Sequence, residues 1–162
     1  MAVSLEDANL VRQKTKIALA NAHPVIQDAF GSLERHLATH AGNPTLQFIP
    51  FSDALLTTST GYTPVAAACK LYGVYLIKSG TSGTGTATDS WLTVANDTTN
   101  TTDALKFVAL MTSANGDEVF AVYPDGLAFG TDITFTGETS AQDGTESTAG
   151  DSGNGFAIIG AA

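Results

Sequence analysis

The chain of 162 residues is 43% hydrophobic but only 14% charged, which suits a single domain with its own core, built from β-structure and loops. Its formal net charge of −9 is concentrated in residues 80–162, where eleven acids accompany the single cation Lys106. Nucleic acid and anionic membranes are therefore excluded as expected partners, because both are bound through Lys and Arg.

The single cysteine, Cys69, excludes an internal disulfide and any CxxC metal or redox site. Because it falls in a predicted strand, we interpret it as a small buried hydrophobe. The first residues, MAVSLEDANLVRQ, lack the basic start and continuous apolar stretch of a signal peptide, and no run is long enough to span a bilayer. We therefore expect a protein that is made in a cytoplasm and stays in solution.

Two helices, or one kinked helix, are predicted at the N-terminal end. Ser4 and Asp7 have the spacing of a helix N-cap with a carboxylate three residues on, so the first helix should begin there and run to about Ala22. Pro24 suits the first position of a second helix. Along that helix one apolar stripe recurs at Ile26, Phe30, Leu33 and Leu37.

From Thr45 onward the apolar period shortens to that of strands. The predicted strands are Leu46–Phe51, Ala67–Lys78, Trp91–Ala95, Ala104–Met111, Glu118–Tyr123, Leu127–Thr136 and Phe156–Gly160. The segment 67–78 is apolar on both alternating sets, as in a central strand with both faces covered. The apolar FAIIG near the end of the sequence predicts a last strand inserted between others.

Turn residues separate these strands. Asn115-Gly116 is the strongest hairpin signal and predicts that the strands on its two sides pair with each other. Tyr123-Pro124-Asp125-Gly126 predicts a β-turn, and residues 57–64 a polar loop. We therefore predict a mainly β protein, with an antiparallel β-sandwich or jelly-roll-like domain over residues 44–162 and an N-terminal helical arm over residues 1–43.

The Gly-rich stretch KSGTSGTGTATDSWLTV raises the possibility of a phosphate-binding loop. Such a loop needs glycines that open a helix, and it commonly needs a lysine after the last glycine. After Gly80, Gly83 and Gly85 no helix pattern follows, no GK[ST] occurs and the surroundings are acidic. We interpret the segment as the tip of a hairpin or a strand crossover.

Two other patterns could indicate catalysis or metal binding. Gly150-Asp151-Ser152-Gly153 resembles the nucleophile segment of trypsin-like serine proteases, but all histidines lie near the N-terminus and the chain is too short for two barrels. His36 and His40 share a helix face, yet a third metal ligand is missing nearby. The dispersed acids lack the spacing of a calcium loop, as at Asp97, Asp117, Asp125 and Asp143. We predict no catalytic, cofactor-binding or metal-binding residue and no enzymatic activity.

From Leu71 to Ala162 the sequence resembles the capsid decoration, or cement, proteins that stabilise the heads of tailed bacteriophages. The segments that carry the resemblance are KLYGVYLIKSGT, TDSWLTV, NDTTNTTDALKFVAL, GDEVFAVYPDGLAFGTDITFTG and SGNGFAIIGAA. The resemblance implies a non-enzymatic virion protein on the capsid surface, made in the host cytoplasm. Its partners would be the major capsid protein and further copies of itself, a trimer being one such assembly, with no nucleic acid, membrane or cofactor.

The helical stripe is the candidate partner-binding site, formed by Ile26, Phe30, Leu33 and Leu37. It could dock onto a capsid lattice or sister subunits, or it could pack against the chain's own sheet. An alternative function is a phage tail or fibre module that binds a receptor or carbohydrate, with Trp91 and the Thr-rich loops contacting sugar. A small β-class hydrolase is a third alternative.

Overall fold

The protein is mainly β, with two antiparallel sheets and an N-terminal helical segment, as predicted. The computed structural model describes residues 8–39, 46–56, 61–78, 90–96, 105–111, 116–138 and 153–162. The helices are α1 (Ala8–Ala18), α2 (Pro24–Thr39) and α3 (Asp53–Leu56). The strands are β1 (Leu46–Phe51), β2 (Tyr62–Val65), β3 (Cys69–Lys78), β4 (Ser90–Ala95), β5 (Leu105–Met111), β6 (Glu118–Phe129), β7 (Ile133–Glu138) and β8 (Gly153–Ala161).

The eight strands form two sheets of four. Sheet A has the order β1-β8-β3-β6, and sheet B has the order β2-β7-β4-β5. The pairs β1 with β8, β2 with β7, β3 with β6 and β4 with β5 are nested in the sequence. The pairs of β3 with β8 and of β4 with β7 join them into sheets. The last strand thus lies inside sheet A, which confirms the predicted insertion.

One apolar cluster is shared by the two sheets. Leu71 and Leu76 of β3 and Ile159 of β8 contribute from sheet A, and Val94 and Phe135 contribute from sheet B, each at most 1% exposed. Because side chains of both sheets fill this cluster, each sheet buries one face against the other.

A second apolar cluster covers the opposite face of sheet A. Phe30 of α2 packs on Phe156 of β8 with ring centroids 5.4 Å apart, and Tyr72 and Tyr75 of β3 belong to the same cluster. A Cβ atom at Gly73 would lie 2.7 Å from the Phe30 ring, so the glycine lets the helix approach the sheet closely. The strand β3 is therefore covered on both faces, as predicted.

The stripe expected to bind a partner is part of this second cluster. Ile26 is 4% exposed and Phe30 and Leu33 are 1% exposed, while Leu37 is partly buried at the edge of the cluster. Of the two alternatives, the structure shows the stripe packed against the chain's own sheet. The reason is that the outward face of sheet A is itself apolar, and the helices remove it from water.

Two turn predictions were wrong. Asn115-Gly116 does not join a hairpin, because β5 pairs with β4 in sheet B and β6 pairs with β3 in sheet A. Tyr123-Pro124-Asp125-Gly126 does not reverse the chain but forms an irregularity within β6, opposite Tyr72, with the regular register resuming on both sides. Gly126 has φ +77°, which explains the glycine there without a chain reversal.

Three other boundaries differ from the prediction. The segment expected to be one strand over 127–136 is divided between the two sheets, because β6 ends at Phe129 and β7 begins at Ile133. The Asn96 side chain accepts hydrogen bonds from the backbone N–H groups of Gly130 and Thr131, at 2.7 and 3.2 Å, and so holds this crossover. Part of the expected loop over 57–64 is strand β2, and α3 was not predicted.

Glycines in β8 allow close strand approach. A Cβ atom at Gly155 would overlap the carbonyl oxygen of Tyr75 on the neighbouring strand. We predict that Gly155→Ala lowers the free energy of unfolding by about 1–3 kcal/mol, because the backbone must shift to relieve the overlap. Urea denaturation followed by circular dichroism measures this difference.

The matched control for that substitution is Gly130→Ala. Apart from its chain neighbours, no heavy atom of the described residues lies within 4 Å of a Cβ built at Gly130, so this variant should unfold within about 0.5 kcal/mol of the wild type. Equal stability of the two variants would show that β8 tolerates side chains there and would contradict the observed register.

The face of sheet B that points away from the shared cluster is lined by threonines. Thr134 and Thr136 on β7 are both 0% exposed. The Thr134 hydroxyl shares a 2.6 Å hydrogen bond with the hydroxyl of Thr63 on β2. The hydroxyl oxygen of Thr136, by contrast, is buried and has no hydrogen-bond partner among the described residues. Two chemically identical groups on one strand therefore differ in whether their burial is compensated.

This difference predicts opposite effects of one substitution. Thr134→Val should lower the free energy of unfolding by about 1 kcal/mol, because it removes the hydrogen-bond partner of the Thr63 hydroxyl. Thr136→Val should leave the stability unchanged or raise it by up to about 1 kcal/mol, because it removes an unpaired buried hydroxyl. Thermal and urea unfolding of the two variants check the contrast, and a larger loss at Thr136 than at Thr134 would refute it.

Candidate functional site

Exposed apolar side chains gather on the helices. Leu10, Ile17 and Val25 are 43%, 77% and 60% exposed, and among the described residues only Leu55 and Leu110 are other large hydrophobes of comparable exposure. Leu10 and Ile17 are two turns apart on α1 and share one side of it. We call this surface, the solvent-facing side of α1 with the first turn of α2, the helical face.

The helical face also carries positive charge. Residues 8–39 contain four cations and two acids, a formal +2 in a chain of −9, so all other residues together carry −11. Three of the cations, Arg12, Lys14 and Lys16, lie on α1. The described residues therefore differ in charge, because residues 8–39 carry a formal +2 whereas the described residues of 46–162 hold three cations and six acids.

A groove of about 230 Å³ lies between α1 and α2. Apolar Leu19 and Phe30 and charged Lys16 and Glu34 contribute to its lining. Burial raises the pKa of the Glu34 carboxyl, against the opposing effect of the nearby cations Arg12, Lys16 and Arg35. The Glu34 carboxylate lies 3.6 Å from the Arg12 guanidinium across the groove, which links the two helices.

The junction between the helices is fixed by hydrogen bonds. The Gln27 side-chain amide donates to the carbonyl oxygen of Leu19 at 2.8 Å, which satisfies a carbonyl just beyond the end of α1. The His23 Nδ1 atom accepts from the Val25 backbone N–H at 3.3 Å, next to the start of α2 at Pro24. These contacts end α1 at Ala18, earlier than the predicted Ala22.

Glu118, the first residue of β6, ties this junction to sheet A. One carboxylate oxygen accepts the Tyr75 hydroxyl at 2.7 Å, and the other accepts the backbone N–H of His23 at 3.1 Å. Burial, together with the bond to Glu118, raises the pKa of Tyr75, so this phenol stays protonated as a donor. Through these two bonds, the Glu118 carboxylate links β6 to the neighbouring strand β3 and to the junction between α1 and α2.

The two histidines within the described residues, His23 and His36, do not contact each other. His23 and His36 lie at opposite ends of α2, about 20 Å apart along a helix that rises 1.5 Å per residue. His36 Nε2 lies 3.5 Å from a carboxylate oxygen of the exposed Asp125 on β6. Within the described ranges no group of three or more His, Cys, Asp and Glu residues has the arrangement of a metal site.

Several sequence candidates lie outside the described residues. They are Gly80, Gly83, Gly85, Asp97, Asp143, His40 and Ser152. Cys69 is 1% exposed, and burial raises its pKa to about 11, so it lies in the core as a thiol. Trp91 is partly exposed on β4, opposite Leu110 of β5. No helix in the described parts of the chain has the length and apolar composition to cross a membrane.

Sequence reasoning missed the residues that define the helical face. The buried stripe of α1 contains Val11 and Thr15 and continues to Leu19 just beyond the helix, whereas Leu10 and Ile17 fall outside it. Apolar residues away from the buried stripe of a helix are the pattern that could have identified them. Glu118 carried no such pattern, because its partners are distant in the sequence.

The two bonds of Glu118 predict how firmly the helical face is held. We expect Glu118→Ala to lower the free energy of unfolding by about 1–3 kcal/mol, because it leaves the buried Tyr75 phenol without its acceptor and removes the bond to the His23 N–H. Hydrogen exchange of the first turns of α2 should accelerate more than that of β3. The control Tyr75→Phe removes only one of the bonds and should cost less; an equal or larger cost would contradict the role of the His23 contact.

The helical face therefore combines exposed apolar side chains with the cations of α1, and it borders the groove between the two helices. The β body beneath it holds the face in place through the second apolar cluster and through Glu118. No protein-family model, curated protein or solved structure matches the chain.

Proposed function

We propose that this chain is a non-enzymatic structural protein of a tailed-bacteriophage virion, which binds the major capsid protein and stabilises the shell as a decoration protein. The observation that carries the proposal is the polar division of its surface. The exposed side chains Leu10, Ile17 and Val25 and a net positive charge lie on one layer, over a strongly acidic body. The assignment to phages rests on the resemblance of residues 71–162.

The strand order supports a jelly roll as the finer description of the β body. In a jelly roll an eight-stranded hairpin is wrapped so that strands one and eight, two and seven, three and six, and four and five pair. These are the four nested pairs of sheets A and B. Jelly rolls serve in viral capsid and lectin domains, so the architecture is compatible with the proposed role without identifying it.

The helical face would dock on the capsid through apolar contact. Complete burial of a side chain such as Ile17 contributes about 1.5–3 kcal/mol relative to leaving it exposed. The surrounding cations Arg12, Lys14 and Lys16 favour a capsid surface with acidic residues around its apolar centre. The buried stripe Ile26, Phe30, Leu33 and Leu37 would act indirectly in this arrangement, because it holds the helices on the sheet.

The acidic body would point away from the shell. Its formal charge, −9 over residues 44–162, would repel neighbouring virions and discourage binding of nucleic acid. Stabilisation of the shell requires only bound surface area across capsid subunits, so no catalytic group or cofactor takes part. The protein would be made in the host cytoplasm and would end on the outside of the capsid.

Substitution on the helical face tests the proposal. We expect Ile17→Asp to weaken binding to purified empty capsids by at least about 100-fold, because it replaces about 3 kcal/mol of apolar burial with an unpaired charge. Co-sedimentation of labelled protein with capsids measures the affinity, and electron microscopy of decorated particles locates the added density.

The matched control is Leu55→Asp on α3, where the wild-type side chain is 38% exposed and lies off the helical face. This variant should bind capsids like the wild type. Equal loss in both variants, or no capsid binding by the wild type, would defeat the proposal. A glycan-binding signal that disappears in Trp91→Ala would instead support the carbohydrate-binding alternative.

A further inference from the structure

Four strands lie at the edges of the two sheets, and three of them are protected against further pairing. The edge strands are β1 and β6 in sheet A and β2 and β5 in sheet B. Three of the chain's five prolines lie in them, Pro50 in β1, Pro64 in β2 and Pro124 in β6. Proline has no backbone N–H to donate, so it prevents the regular addition of another strand.

The fourth edge strand, β5, lacks this protection. Its sequence LKFVALM contains no proline or glycine, and Phe107 and Val108 at its centre favour strands. A register shift opposite Val94 and Ala95 places an irregularity at Lys106, after which the register with β4 is regular over residues 107–111. Among the described residues β4 is the only strand that pairs with β5.

On β5, the face that points away from the shared apolar cluster carries apolar side chains. Phe107 packs against the shared cluster, so the alternate residues Val108 and Leu110 point away from it, and Leu110 is 43% exposed. Trp91 of β4 lies opposite Leu110 and is itself partly exposed. A strand added to β5 would therefore cover apolar side chains as well as pair backbone groups.

We propose that β5 is a self-association edge, on which the β5 strand of a second copy pairs antiparallel about a twofold axis. The register that pairs all five regular residues 107–111 places the axis at Ala109, so that Val108 of one copy lies opposite Leu110 of the other. Both members of that cross-strand pair are apolar and point to the same side of the combined sheet. The two copies of sheet B then form one eight-stranded sheet.

Charge favours a second copy at this edge. Two chains of net charge −9 repel each other over most of their surfaces. Residues 104–116, which include β5, contain no acid and hold Lys106, the one cation of residues 80–162. The strand is therefore a part of the acidic body where close approach of two copies brings no acid of one strand against an acid of the other. This inference does not depend on the proposed function, because no capsid contact enters it.

Sedimentation velocity of the full chain over a concentration series tests the inference. We expect the wild type to sediment as a dimer and Leu110→Lys to shift to the mass of one chain, because a lysine on the added pair blocks strand addition. The control Leu55→Lys places the same charge on an exposed leucine away from β5 and should remain dimeric. A monomeric wild type, or an oligomer that persists in Leu110→Lys, overturns the proposal.

Disulfide trapping provides a test that does not require a destabilising charge. Val108→Cys and Leu110→Cys are made as separate variants, mixed and oxidised; native Cys69 is 1% exposed and stays out of the reaction. In the mixture, the cysteine introduced at position 108 of one copy lies directly opposite the cysteine introduced at position 110 of the other, within reach of a disulfide. In either variant alone, the two identical cysteines lie on a diagonal, with Cα atoms about 7–8 Å apart. The mixture should therefore give more covalent dimer than either variant alone. No excess in the mixture overturns the proposed pairing.

Discussion

Sheet A must be covered on both faces, and most of the molecule is arranged to satisfy that requirement. Its central strands β3 and β8 carry large apolar side chains on both alternating sets, for example Leu76 and Ile159 on one face and Tyr75 and Phe156 on the other. A sheet with only one covered face would leave the second set in water at a cost of about 25 cal/mol per Å² of apolar area. Sheet B covers the first face, and α1 and α2 cover the second.

This requirement makes the helices a layer of the folded body. Phe30 contacts the sheet where Gly73 provides room, and Glu118 bonds to the helix junction from the first position of β6. The cations of α1 are thereby held on the outer side of sheet A. Their position relative to the sheet is a fixed property of the fold.

Local pattern predicted the elements well and their partners less well. The two-sided apolar pattern of residues 67–78 identified β3 as central, and FAIIG identified β8 as an inserted strand, because burial on both faces leaves a direct mark on composition. Asn115-Gly116 and Tyr123–Gly126 misled, because a turn residue reports the local backbone angle and not the sheet that the next strand joins. That choice depends on contacts far apart in the sequence, such as Leu76 with Val119.

The candidate site was less accessible for a similar reason. A stripe such as Ile26–Leu37 shows that a helix face must be covered, but it does not identify the covering surface. Only the packed structure distinguishes the chain's own sheet from a partner, and only then do Leu10 and Ile17 stand out as apolar residues that nothing in the described chain covers. The bonds of Glu118 leave no periodic pattern at all.

The central position of β8 has a consequence for how the chain acquires its fold during synthesis. Strands β1 and β3 are neighbours of β8 and do not pair with each other, so sheet A has a gap until residues 153–161 leave the ribosome. Until then the unpaired edges of β1 and β3 are open to aggregation. A nascent chain without residues 153–161 would leave both of these strands unpaired at that position and would be a substrate for proteolysis.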